Sequence, residues 1–137
     1  MILYLDTSNL VKLYLNEADA EEIAKLVAAA DVLVTSVLAY PEARATFSRR
    51  RRERLLTASE TAAIVRRFDD DWRRFVVIAC GDDLARAAGQ LANRHAVRGA
   101  DAVHLASFAE LLGRSPDVDI RFSCADERLV RAAKSLG

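Results

Sequence analysis

The run Ile2-Leu3-Tyr4-Leu5-Asp6-Thr7-Ser8, at the head of the chain, carries the fold. Four apolar residues are followed at once by a carboxylate and two hydroxyls. A short, unbroken apolar run suits a strand buried on both faces. Residues 32–35, 75–79 and 118–122 repeat the pattern, mostly with β-branched or aromatic side chains. Amphipathic stretches separate the four runs, so strand and helix alternate. Alternation of this kind predicts a parallel sheet covered on both faces: an α/β fold, a three-layer α/β/α sandwich on four parallel strands. In such sheets ligands bind beyond the carboxyl ends of the strands. The residue that follows each strand is therefore the informative one.

Helix signals fill the gaps. Ser8 is placed to cap a short helix reaching residue 15, and residues 19–30 read as a second. Ser36 opens a third that runs to about residue 52. Pro41 then either kinks it or marks a later start, because proline is free of cost only in the first turn. Thr57 and Glu60 form a capping box for a fourth helix, with Thr61, Val65, Phe68 and Trp72 at one-turn spacing. Residues 82–95, 100–112 and 125–135 read as the last three, with Gly113 and Pro116 as stop signals for the middle one.

The 137 residues are the size of one domain, taken here as residues 1–137. Apolar residues make up 52% and charged residues 29%, enough for a core and too ordered for a disordered chain. Twenty basic residues balance twenty acidic ones, which excludes a generally basic nucleic-acid coat protein. The balance conceals segregation. Residues 1–43 carry two basic side chains against seven acidic, and residues 44–74 carry ten arginines against five acids. An acidic pocket beside a basic surface is the expectation. Cys80 and Cys124 lack metal spacing and are expected to be small buried hydrophobes, with no disulfide or zinc scaffold. An apolar run of membrane length and a signal-peptide pattern are both missing. The expected setting is the cytoplasm, with no membrane contact.

Four acids fall at or near one end of the proposed sheet. Asp6 follows the first strand, Glu42 lies early in the helix after the second, Asp101 opens the sixth helix, and Asp126 follows the fourth strand. Any one of them has a simple explanation as a helix cap or dipole partner. Their convergence is harder to explain that way, since close carboxylates repel by roughly 1 kcal/mol per pair in water and more when partly buried. A cation would neutralise such a cluster. An all-oxygen set without a thiolate suits Mg²⁺ or Mn²⁺ rather than zinc. Ions held this way activate water against a phosphodiester.

The residues at these positions resemble a known family. Tyr4-Leu5-Asp6-Thr7-Ser8-Asn9-Leu10-Val11-Lys12-Leu13-Tyr14 looks like the opening of a PIN-domain ribonuclease of the VapC toxin type. The segment from Val34 through Ser36 to Pro41-Glu42 is similar to its second acidic block. Arg98-Gly99-Ala100-Asp101-Ala102-Val103-His104-Leu105-Ala106 is similar to its third. Phe122-Ser123-Cys124-Ala125-Asp126 is similar to the fourth, where a serine or threonine precedes the last acid by three. The resemblance implies a PIN-like sandwich and a metal-dependent endoribonuclease, the toxin of a toxin–antitoxin pair. It implies Asp6 and Asp101 as primary metal ligands, with Glu42 and Asp126 completing the site directly or through water. Ser123, Thr7 and Ser8 would support them by hydrogen bonding. It further implies an RNA substrate, a VapB-type antitoxin and a homodimer. The family usually adds a fifth strand after the last helix. This chain stops at Ser135-Leu136-Gly137, so four strands or a vestigial fifth at the edge are expected.

The run Arg49-Arg50-Arg51-Arg52 turns through about 300° of a helix and cannot serve one face. Two or three of its members could reach RNA phosphates beside the acidic pocket, or an acidic partner segment. His104, one turn beyond Asp101, is read as a supporting or core residue rather than a ligand. His95 is read as a helix-end residue and Trp72 as packing. Other classes remain: a non-toxin RNA-processing nuclease of the same family, an inactive RNA- or protein-binding scaffold, and a receiver-like phosphoacceptor. The last wants paired acids at the first strand end and a late lysine, whereas Thr7-Ser8 follow Asp6 and Lys134 is terminal.

Overall fold

The computed structural model describes residues 1–136, and Gly137 lies outside the described residues. Four strands form one parallel sheet in the order β3-β2-β1-β4: β1 (Ile2–Leu5), β2 (Val32–Ser36), β3 (Val76–Ile78) and β4 (Ile120–Ser123). Both central strands come from the first forty residues. The register pairs Tyr4 with Val34 on one side and Phe122 on the other, so β1 is flanked along its length.

Period-two alternation along β1 builds the three layers. Leu3 and Leu5 face a core shared with α1 (Thr7–Leu10), the 3-10 turn Val11–Leu13, α2 (Ala20–Ala29), α3 (Ala39–Arg52) and α4 (Ala58–Trp72). Tyr4 faces a second core with α5 (Asp82–His95), α6 (Gly99–Arg114) and α7 (Glu127–Lys134). On the first side Tyr14, Tyr40, Phe47, Phe68, Trp72 and Phe75 interlock, with ring centroids 5.3–6.0 Å apart. Trp72 is thus a packing residue. The buried positions of α4 are Ile64 and Phe68, and Val65 and Trp72 flank them half-covered.

Several local expectations are corrected. Asp6, not Ser8, caps α1: its carboxylate accepts from the Asn9 amide, while Ser8 lies inside the helix. Helix α3 begins at Ala39, which puts Pro41 in the free first turn and removes any need for a kink. Ser36 still accepts from the Leu38 amide, so its signal marked the turn before the helix. Gly113 lies within α6, which ends one residue later. Strands β3 and β4 are edges, so burial on both faces fails there; Val76 is 50% exposed. Thr57 and Glu60 do form the capping box. Ala96 ends α5 at φ 52°, a left-handed position that usually falls to glycine.

Candidate active site

A cleft of about 630 Å³ opens at the carboxyl ends of the central strands. Asp6, Glu42 and Asp101 line it together with Thr7, Ser8 and His104. Its outer wall carries Lys12, Arg49, Arg50 and Arg98. Three of the four expected acids, from three separate elements, therefore share one space with four basic side chains and a further acid, Glu17. A second groove, of about 380 Å³ beside β4, is lined mainly by apolar residues such as Phe108, Ile120 and Phe122 and contains no carboxylate.

Asp6 is 5% exposed, and both of its carboxylate oxygens accept hydrogen bonds. Oδ1 accepts from the Ser8 hydroxyl at 2.6 Å and from the Asn9 amide at 3.2 Å. Oδ2 accepts from the Cys124 thiol at 2.9 Å. Burial, then the negative charge of Asp6 and the bond to it, push the Cys124 thiol up to about 12, so it remains a donor. The expectation that both cysteines are buried hydrophobes is corrected: Cys80 is exposed, and Cys124 is a half-buried hydrogen-bonding group. Ser8 also accepts from the Ala125 amide at 3.0 Å, tying α1 to the loop after β4.

Glu42 sits in the first turn of α3, where a carboxylate complements the helix dipole. Its Oε1 accepts from the Thr7 hydroxyl at 2.6 Å and lies 3.0 Å from His104 Nε2. Thr7 commits its proton to Glu42, so its oxygen accepts from His104 Nε2 at 3.2 Å, which places a hydrogen on that nitrogen. Tyr4 then donates to Nδ1 at 2.8 Å; burial holds the Tyr4 hydroxyl above its ordinary value and keeps it protonated. Burial alone would raise the Glu42 carboxyl. Hydrogen bonds from His104 and Thr7, helped by the nearby Arg98 guanidinium, outweigh it and hold the group below the usual carboxylate range.

Asp101 stands in the first turn of α6, with Arg98 Nε 3.4 Å from its Oδ2. Asp126 differs from the other three: it caps α7 by accepting from the Arg128 amide at 2.9 Å and does not line the cleft. Ser123 is buried and receives the Asn9 side-chain amide at 2.8 Å, so it steadies α1 rather than a carboxylate. Asn9 Oδ1 is buried with no hydrogen-bond partner. Of the arginine run, Arg49 and Arg50 line the cleft and Arg51 and Arg52 do not. His95 is the last residue of α5, and its Nε2 is buried without a partner among the described residues.

Among the described residues, no three His, Cys, Asp or Glu side chains are drawn into a ready-made metal cage. The carboxylates are instead satisfied separately by hydrogen bonds. The donor set nevertheless fits a hard divalent cation. The cleft offers carboxylate oxygens, the Cys124 thiol stays a donor to Asp6, and His104 Nε2 is already engaged with Glu42 and Thr7. Lys12, Arg98, Asn9 and Cys124 went unnoticed as site residues in the sequence. Only Asn9, one turn after Asp6, offered a positional hint.

The profile of the PIN-domain family matches residues 3–134. The chain is 40% identical over 106 residues to ribonuclease VapC45 of Mycobacterium tuberculosis, covering 77% of this chain and 74% of the relative. Among solved structures it is similar to the sarcin–ricin-loop-cleaving toxin VapC20 of M. tuberculosis. That match has TM-score 0.65 and 19% identity, over 90% of this chain and 91% of the other. FitAcB of Neisseria gonorrhoeae matches with TM-score 0.66 and 16% identity, over 98% and 94%. At such identities these two likenesses speak for the fold.

Proposed function

The chain belongs to the PIN-domain family, among relatives of the VapC toxin ribonuclease type, and from that premise we propose that the cleft is the active site of a metal-dependent endoribonuclease. Residues 1–137 act as one catalytic domain, the toxin of a VapBC-type pair. The observation that carries this reading is the convergence of Asp6, Glu42 and Asp101 in one cleft that Lys12, Arg49, Arg50 and Arg98 also line. Carboxylates alone would repel RNA, and Arg49 and Arg50 supply the opposite charge that phosphates require.

Asp6, Glu42 and Asp101 would hold Mg²⁺ or Mn²⁺, with Asp126 reaching it through water from the cap of α7. The cation, when bound, supplies Lewis acidity that activates water and neutralises charge gathering on the phosphate. The chain's own residues prepare that chemistry. Ser8, Asn9 and Cys124 fix the Asp6 carboxylate at the end of the central strand. Thr7 and His104 fix Glu42 and keep it anionic. Ser123 holds Asn9, and through it the first turn of α1. Arg49 and Arg50 take substrate phosphates as charge-assisted donors. The toxin works in the cytoplasm as a homodimer, and a VapB-type antitoxin silences it by covering the cleft. No helix among the described residues is long and apolar enough to cross a membrane.

Asp6→Asn tests the proposal, since it keeps shape and most hydrogen bonding while removing one charge. Wild type should cut total cellular RNA with Mg²⁺ or Mn²⁺ and slow growth when expressed alone. Asp6→Asn should be folded, inactive and harmless. A folded Asp6→Asn chain that cut as fast as wild type in the same metal would overturn the mechanism.

A further inference from the structure

On the reading of the cleft as an RNA site, we propose that two internal ion pairs latch its rim, and that RNA phosphates bind by displacing Glu17 from Arg50 and Asp19 from Lys12. Lys12 is only 8% exposed, unusual for a lysine, yet it lines the cleft. Its Nζ lies 2.6 Å from Asp19 Oδ2, and that hydrogen bond holds the Asp19 carboxyl below its ordinary value. Arg50 Nη2 lies 2.7 Å from Glu17 Oε1, with the two side chains 31% and 26% exposed.

Both acids belong to the short connection between the 3-10 turn and α2, and both cations belong to the cleft wall. Glu17 lines the cleft beside Arg50, whereas Asp19 holds Lys12 from outside the lining; each carboxylate occupies donors that a phosphate oxygen could take, since guanidinium and ammonium groups bind either anion. Arg50 is set apart within its run. Arg49 reaches only Glu53 on its own helix, at 3.9 Å, and Arg51 and Arg52 do not line the cleft. The pairing balances charge on the rim while the cleft is free of RNA, and it makes RNA binding an exchange of anions rather than a simple capture.

An exchange has a signature that simple capture lacks: removing the internal acid should tighten RNA binding. Binding of a labelled single-stranded RNA by fluorescence anisotropy, in chelator to hold off cleavage, reads it directly. Glu17→Gln should bind about two- to fivefold more tightly than wild type, the scale of one ion pair that solvent still reaches. Its salt dependence should steepen by up to roughly 0.7 in log–log slope, the value of one phosphate contact on a single strand. In an Arg50→Gln background the same Glu17→Gln change should have no effect. Asp19→Asn gives a second, independent reading through Lys12, with circular dichroism confirming the fold. Unchanged or weaker RNA binding by folded Glu17→Gln and Asp19→Asn would overturn the latch alone. A Glu17→Gln gain that persists without Arg50 would also overturn it. A wild type that binds no RNA would overturn the RNA reading itself.

Discussion

His104 Nε2 lies 3.0 Å from Glu42 Oε1, although α6 and α3 pack on opposite faces of the sheet. The bond passes over the carboxyl end of β1, and Tyr4, within that strand, holds the other ring nitrogen. One imidazole thus joins all three layers at the cleft. His104→Phe fills the space but takes the acceptor from the Tyr4 hydroxyl and leaves Glu42 with Thr7 alone. We expect a loss of about 2–3 kcal/mol in urea denaturation, within the range for abandoned buried or charged hydrogen bonds. His104→Gln, which can still donate toward Glu42, should lose less. Equal stability of His104→Phe and wild type would show that the contact contributes nothing.

Cys124 makes a sharper chemical comparison. A serine at 124 can still donate to Asp6 Oδ2, whereas alanine cannot. Cys124→Ala should cost about 1–2 kcal/mol more than Cys124→Ser, because a buried carboxylate oxygen loses its only donor. Thermal melts of the two variants, side by side, measure the difference. The reverse order of stability would mean that packing of the sulfur outweighs the hydrogen bond.

The capping box of α4 predicts a pH dependence away from the cleft. The Thr57 backbone amide, donating to Glu60 Oε1 at 2.9 Å, holds the Glu60 carboxyl below its ordinary value. A carboxyl that is more acidic when folded stabilises the fold above its unfolded value, near pH 4.3, and loses that contribution as pH falls through the folded value. Glu60→Gln keeps an acceptor without the charge, so its stability deficit against wild type should shrink between pH 5 and pH 3. Thr57→Ala should instead cost about 1 kcal/mol at neutral pH. Urea midpoints across the range separate the two, and a Glu60→Gln deficit constant with pH would count against the linkage.

The sheet was legible because strand runs and helix faces obey different periods, and the shared cleft of Asp6, Glu42 and Asp101, though not of Asp126, because strand ends are where α/β folds expose chemistry. Local signals failed where two residues compete for one duty. Asp6 and Ser8 can each cap a helix, and tertiary placement gave the cap to Asp6 while Ser8 became its donor. The Cys124 bond to Asp6 spans 118 positions, and the His104 bond to Tyr4 spans 100, beyond any periodicity. Edge strands were misjudged for a related reason: an apolar run does not say whether a neighbour exists on both sides.

Asp126 and Asp101 set the final test, because the structure separates roles that the sequence could not. Asp126 caps α7, and asparagine caps as well as aspartate, so Asp126→Asn removes charge while keeping the helix start. Asp101 lines the cleft in the first turn of α6 and caps nothing, so Asp101→Asn should change metal-free stability by no more than about 1 kcal/mol, the helix-dipole contribution. Metal that binds only the folded chain stabilises it by about 2.7 kcal/mol at a hundredfold excess over its dissociation constant. Melting curves with and without Mn²⁺ should show that gain in wild type and most of it gone in Asp101→Asn. Asp126→Asn should keep the larger part, as expected of a residue that reaches the ion through water. An undiminished metal response in Asp101→Asn would remove Asp101 from the ligand set, whereas a complete loss in Asp126→Asn would make Asp126 a direct ligand and require the start of α7 to move toward the cleft.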